Sequence, residues 1–325
     1  MKSYSIGIDI GGTKILIALV NKETGEVICA NKKKTSKGNK KILSKLIDGI
    51  SELCAENSID LRTVSSIGIG SSGLIDRENG IIISAPNLES YDFELADELK
   101  KVFNLPVFVG NDVEAGTLGE MKFGAGRNCD DFMCIFIGTG IGSAIVKDGK
   151  LIKGASGTAG EFGHIVIAYN GRHCGCGAYG CLETYASRKA VEGKIWDALN
   201  KGTKSAITDY IKPDKPISSS MIAKSIEKND VLVTSCILEA SEYLSCGIAS
   251  VINLLNPKCI ILGGGLIDAV NLFYEETVLR SKQKALKLAS DSTIFKKAEL
   301  GDYSGVIGAA CLENVLTDNK VIESV

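Results

Sequence analysis

The sequence predicts an α/β protein of about two domains, and three observations carry that prediction. A chain of 325 residues is long enough for two cores of ordinary size. Short buried strands alternate with segments at helical spacing along its length. One unit, strand then glycine/threonine turn then strand, occurs twice, at residues 5–20 and again at 132–147.

Bulk composition narrows the function. A net charge of −2 argues against a nucleic-acid or acidic-membrane partner. Lys32, Lys33, Lys34, Lys37, Lys40 and Lys41 cluster without interleaved aromatics, so they read as a solvated loop and helix start. With 36 glycines against 5 prolines, the glycine excess points to backbone-lined ligand loops. Of eleven cysteines, eight are scattered in apolar contexts such as Met133-Cys134-Ile135-Phe136, which reads as reduced core thiols of a cytoplasmic protein. Asp9 stands where a signal peptide would be apolar, and no apolar run approaches the ~18 residues of a membrane span.

Taken in order, residues 5–10 and 15–20 are strands joined by Gly11-Gly12-Thr13-Lys14. Such a turn exposes backbone N–H groups and a hydroxyl, which suits phosphate oxygens, although ordinary hairpins look alike. Ile42, Leu46, Ile50 and Leu53 recur at helical spacing, predicting a helix over about 39–57. A buried strand at 66–70 runs into a loop, 71–76, that holds Gly73; Ala85-Pro86-Asn87 is a polar turn. A helix over 93–103 and a strand over 106–109 lead to Asn111-Asp112 and a helix over 113–122. Asp112 has two readings, a helix N-cap or a carboxylate presented at a strand end.

The strand at 132–137 ends in Gly138-Thr139-Gly140-Ile141-Gly142. A dinucleotide fingerprint would need a helix next, but an Asp148-Gly149 turn and a second strand follow, so the segment is a hairpin. No Gly-x-x-x-x-Gly-Lys-Ser/Thr occurs. Further on, helices are expected at 183–199, 218–228 and 231–255, with a polar surface insertion at 202–220. A strand then ends in Gly263-Gly264-Gly265, where a flat ring could lie against backbone. A last helix begins within 301–310.

The stretch 161–183 carries the most specific signal. Glu161-Phe-Gly-His164 is followed by Cys174-Gly-Cys176-Gly-Ala-Tyr-Gly-Cys181-Leu-Glu183. Three thiols and a histidine meet the needs of a tetrahedral zinc site, whereas a Cys-x-Cys disulfide is badly strained and leaves one thiol over. His164 is the better fourth ligand, because His173 abuts Cys174 and adjacent side chains rarely converge on one ion. Four protein ligands make the zinc structural. Glu161 and Glu183 read either as solvated charges or as groups held rigidly for a polyhydroxy ligand.

These motifs resemble the ROK family, bacterial sugar kinases and related repressors of the actin/hexokinase/Hsp70 superfamily. Asp9-x-Gly-Gly-Thr-Lys14, Asn111-Asp112, Gly138-Thr-Gly140 and the Cys/His knot fall in family order across nearly the whole chain. The resemblance implies two ribonuclease-H-like domains with ATP and sugar between them. One would be about 1–115 plus 303–325, the other 116–302 with the zinc knot. It further implies that Asp112 is the general base. Gly73, Asn87, Asn111, Asp112, Glu161, His164 and Glu183 would hold sugar hydroxyls. Asp9, Gly11, Gly12, Thr13, Lys14, Gly138, Thr139 and Gly140 would serve ATP phosphates, and Gly263, Gly264 and Gly265 adenosine. Mg²⁺ would ride on the phosphates near Asp9, and dimers or tetramers are the family habit. Ser72 and Arg188-Lys189 depart from the usual pattern and put the choice of hexose in doubt.

The leading expectation is an ATP-dependent hexokinase, most simply a glucokinase. N-acetylmannosamine, N-acetylglucosamine, fructose and allose are alternative sugars. A sugar-responsive repressor is the rival from another class; the family's repressors carry a helix-turn-helix ahead of the first strand, and here the strand begins by Ser5. An actin- or chaperone-like ATPase fits the zinc knot poorly.

Overall fold

The computed structural model describes residues 3–212 and 215–313. Residues 314–325, which the resemblance gives to the first domain, and Pro213 of the 202–220 stretch lie outside the described residues. Contacts divide the chain into two units: one runs to Asn128 and resumes at Asp302, and the other spans Cys129–Gly301.

The first unit contains β1 (Tyr4–Ile10), β2 (Lys14–Asn21), β3 (Val27–Lys34), β4 (Val64–Ser71), β5 (Leu74–Asp76), β6 (Ile81–Ala85), β7 (Ser90–Phe93) and β8 (Val107–Asn111). Five of them make a sheet in the order β3-β2-β1-β4-β8, antiparallel from β3 to β1 and parallel from β1 to β8. Strand alternation explains the two faces of this sheet. Ile6, Ile8 and Ile10 fall on one face with Ile67 and Ile69, and they share a core with Ile42, Leu46 and Leu99 of the helices Asn39–Glu56 and Leu95–Phe103. The other face carries Gly7 and Gly68, and there the backbone of helix Ser304–Ala309 comes very close. A Cβ at Gly7 would lie 1.9 Å from the Val306 carbonyl oxygen, and one at Gly68 1.8 Å from that of Ala309. Asp9 shares this face, two residues along from Gly7, and is thereby delivered to Gly305.

The polar turn expected at Ala85-Pro86-Asn87 is a short turn, Pro86–Leu88, but the end of the loop expected at 71–76 pairs into a small antiparallel sheet, β5-β6-β7. Its strands are three to five residues long and carry Asp76, Ser84 and Asp92, so no clean alternation marks them.

The second unit repeats the first sheet strand for strand. It holds β9 (Phe132–Ile137), β10 (Ile141–Lys147), β11 (Lys150–Leu151), β12 (Cys259–Gly263) and β13 (Ile294–Lys297), in the order β11-β10-β9-β12-β13. Pairing is antiparallel from β11 to β9 and parallel from β9 to β13. Asp148 and Gly149 both take positive φ, 51° and 70°, as a two-residue hairpin turn requires. Two expectations change here. The helix expected over 183–199 is broken at Ser187, which is extended (φ −73°, ψ 161°) and caps helix Arg188–Asn200 by accepting from the Ala190 N–H. The 202–220 stretch is not wholly a surface insertion, because Ile207 and Ile217 are fully buried in this unit's core. Flanking Lys, Thr and Ser residues hide those two anchors in the sequence. Among the described helices, Val231–Leu255 alone is apolar and long enough to cross a membrane by length and composition. Its Ile237, Leu244, Ile248 and Ile252 are buried in the core of the second unit.

Candidate functional site

The knot residues come together. The ligand atoms of His164, Cys174, Cys176 and Cys181 all lie within 4.8 Å of one another. The Cys176 and Cys181 sulfurs are 3.7 Å apart, and Cys174 Sγ is 3.6 Å from His164 Nδ1. Zn–S bonds of ~2.3 Å in a tetrahedron put sulfurs about 3.8 Å apart, so the donors stand at the spacing zinc needs. Burial pushes the Cys181 thiol up to about 12, while a backbone hydrogen bond from Ala178 lowers Cys176. A cation supplies the charge that lets such a group release its protons. His173 stays outside the cluster, its ring set edge-on against Tyr179 at 5.1 Å.

The knot is fastened to the rest of its unit. The Arg172 backbone N–H donates to the Tyr185 hydroxyl at 2.7 Å, and the Arg172 guanidinium lies over the Tyr185 ring. Tyr185 in turn packs on Tyr243 of helix Val231–Leu255, ring centroids 4.3 Å apart. With Nδ1 turned to the sulfurs, His164 directs Nε2 toward Glu161 Oε2, 4.0 Å away. Glu161 is exposed, and these two polar groups face the same space.

Glu183 does something the sequence did not indicate. Its Oε2 accepts from the Ile141 N–H at 2.8 Å, and a Cβ at Gly140 would lie 2.3 Å from that oxygen. The carboxylate therefore braces the Gly138-Thr139-Gly140 turn. On the other side of the same turn, Gly264 (φ 90°) backs onto β9; a Cβ there would sit 2.7 Å from the Ile137 carbonyl oxygen. Only glycine permits that approach, so the 263–265 loop and the 138–140 turn are neighbours within one unit.

In the first unit, the 11–14 turn closes through Gly11 N–H to the Lys14 carbonyl at 3.0 Å. Thr35 completes it, donating its hydroxyl to the Gly11 carbonyl at 2.7 Å and its N–H to that of Thr13. Gly12 and Thr13 remain exposed at its tip. Lys14 pairs with Asp302 at 2.9 Å, which holds the Asp302 carboxyl below its ordinary range. Burial pushes the Asp9 carboxyl up to about 7; the Asp112 charge adds to the rise and Lys14 opposes it. Two carboxylates that repel in this way, beside a lysine, form a setting that a hydrated divalent cation would relieve.

The cap reading attached to Asp112 belongs to its neighbour. Asn111 is the N-cap of helix Asp112–Phe123, its Oδ1 accepting from the N–H groups of Val113 at 2.9 Å and Glu114 at 3.2 Å. Asp112 is the first helical residue and adds a bond from the same Val113 N–H. Asn111 thus spends its oxygen on the helix and has Nδ2 to offer a ligand. Gly73 (φ 107°) lies in the bend before β5, where a Cβ would strike the Ser84 carbonyl oxygen of β6 at 2.3 Å. Asn87 is exposed in the turn Pro86–Leu88 that follows β6.

Thr35, Asp302 and Arg188 are site-lining residues that sequence motifs did not mark for these roles. Thr35 reaches the turn only through strand pairing, and Asp302 lies 288 positions from Lys14. Arg188 stood out only as a departure from pattern.

Comparison with known proteins accords with this arrangement. The sequence model of the ROK family matches residues 5–315. A glucokinase of Halalkalibacterium halodurans is 32% identical over 313 residues, 95% of this chain and 94% of that one. A xylose repressor of Caldicellulosiruptor bescii is also 32% identical, over 96% of this chain and 78% of its own length. A ROK family glucokinase of Streptomyces griseus, solved with glucose and AMPPNP, superposes with a TM-score of 0.84 at 30% identity, covering 95% of this chain and 98% of that one. The two repeated sheets are thus ribonuclease-H-like, of the actin/hexokinase type. With a third of its residues shared along almost its full length, this chain belongs to the ROK family.

Proposed function

We propose that this protein transfers the γ-phosphoryl group of ATP to the 6-hydroxyl of a hexose, with glucose as the sugar and Asp112 as general base. The chain is an ATP-dependent sugar kinase of the ROK family. The observation that carries the finer reading is the acidic pair in the first unit. Asp112 opens a helix at the end of β8, its charge raises Asp9, and the helix is capped by a different residue. A carboxylate set at a strand end, where its charge meets that of a second carboxylate, suits proton transfer.

In this reading Asp112 accepts the proton of the sugar hydroxyl as its oxygen attacks the γ-phosphorus and the bond to ADP breaks. Gly11, Gly12, Thr13 and Lys14 serve phosphate in one unit, and Gly138, Thr139 and Gly140 in the other. Gly263, Gly264 and Gly265 take the adenosine. Gly73, Asn87, Asn111, Glu161, His164 and Glu183 hold sugar hydroxyls, the last three kept in place by the metal-bound loop. Mg²⁺ near Asp9 supplies positive charge against the phosphates. Zinc on His164, Cys174, Cys176 and Cys181 has a structural part.

Release of ADP, followed by a coupled assay across a panel of hexoses and N-acetylhexosamines, tests this. Glucose should give the highest kcat/KM; a clear preference for another sugar would overturn the choice of glucose. The likeness to the xylose repressor supports a second reading, a sugar-sensing regulator. Saturable sugar binding with no ADP release from any sugar would favour it.

A further inference from the structure

Arg188 brings a positive charge to the second glycine turn, and the reading above gives it no part. It opens helix Arg188–Asn200 directly after the Ser187 break. Its backbone N–H donates to the Gly138 carbonyl at 3.0 Å. Its guanidinium is only 16% exposed and tightly held: Nη1 donates to the Ile217 carbonyl at 2.7 Å and faces Glu192 Oε2 at 3.3 Å. Glu192 is fixed in turn, accepting from the Ile217 N–H at 2.8 Å. With Nη1 so occupied, Nη2 reaches the Thr139 hydroxyl at 3.0 Å.

The direction of that last bond follows from chemistry. Guanidinium has donors and no acceptor, so the Thr139 oxygen accepts, and the hydroxyl proton must point elsewhere. Thr139 is exposed at the tip of the turn, where an incoming oxygen could take that proton. A cation in the first turn of a helix also opposes the helix dipole, an unfavourable placement unless an anion offsets it. Glu192 offsets part of that cost, and an incoming phosphate would offset the rest.

We propose that Arg188 is a positioning residue that sets the Thr139 hydroxyl as a hydrogen-bond donor to a phosphoryl oxygen of the nucleotide. This rests on the reading of 138–140 as a phosphate cradle. It moves Arg188 from the hexose question to the nucleotide, and it makes the segment 183–188 a bracket on that turn, with Glu183 on Ile141 and Arg188 on Gly138 and Thr139.

The test is a double-mutant cycle read by AMPPNP binding in titration calorimetry, without turnover, and by KM for ATP. Arg188→Ala should weaken AMPPNP about tenfold, the usual scale for a charge-assisted hydrogen bond, with sugar affinity unchanged. In the Thr139→Val background the same change should cost less than about twofold, because the group it orients is gone. Arg188→Lys keeps the charge without the fork and should fall between wild type and Arg188→Ala; it carries the test if the alanine variant does not fold. Equal losses in both backgrounds would overturn the proposal, as would an AMPPNP affinity unmoved by Arg188→Ala or, if that variant does not fold, by Arg188→Lys. If Thr139→Val alone leaves AMPPNP binding and the KM for ATP unmoved, the cradle reading fails, and the role of Arg188 falls with it.

Discussion

Replacing Asp112 by Asn should slow the enzyme and at the same time flatten the pH dependence of its stability. The Asp9 carboxyl stands at about 7 in the folded protein against an ordinary 3.8. That difference is about 4 kcal/mol of preference for the protonated form, an upper figure. Because the folded value is raised, the stabilising effect is complete below pH ~4 and fades as pH rises toward about 7. Burial is the larger cause and the Asp112 charge the next, so removing that charge should shrink the fade by on the order of 1 kcal/mol. Loss of a carboxylate from the first turn of helix Asp112–Phe123 costs about 0.3–1 kcal/mol at every neutral pH. That cost cancels when two pH values above the range of ordinary aspartates are compared. Urea unfolding of both proteins at pH 5.5 and pH 8, in magnesium-free buffer, isolates the effect. The wild type should lose more stability between the two than Asp112→Asn does, and the Asn111 cap should keep the variant folded. Turnover should fall at least about 10²-fold, with sugar affinity changed far less. A folded variant within tenfold of normal turnover would refute the base assignment. An unchanged pH difference would refute the coupling of the two carboxylates.

Metal analysis should find one zinc per chain, and its absence from active protein would exclude the knot as a zinc site; chelation, removing on the order of 10 kcal/mol of binding energy, should abolish activity and lower the thermal midpoint. Gly308→Ala should cost about 3 kcal/mol or more in chemical denaturation, because its Cβ would lie 1.6 Å from the Ala115 carbonyl oxygen and neither backbone can yield. Gly138→Ala meets no atom within 4 Å, so stability should hold while KM for ATP rises several-fold; an unstable variant would contradict the open turn. Asp302→Asn should weaken the tether on Lys14 and raise KM for ATP more than KM for sugar, which initial-rate kinetics would show.

The sequence by itself determined the features that close spacing dictates. Ligands ten, two and five residues apart converge because glycines let one short loop fold on itself, and those four side chains do meet. The doubled strand–turn–strand unit was legible because short apolar runs split by a glycine/threonine turn are local signals, and both sheets have one strand order. Tertiary structure alone decided which residue caps the helix at 112 and where the helix after the knot breaks. Both depend on backbone angles at Asn111 and Ser187 that either neighbour's composition would have allowed. It also decided what stands on each turn: Thr35 on Gly11, Asp302 on Lys14, Glu183 and Arg188 on Gly138-Thr139-Gly140. Those contacts join residues 24, 288, 42 and 49 positions apart. No periodicity reaches that far; only the packing of strands and helices brings such residues within hydrogen-bond distance.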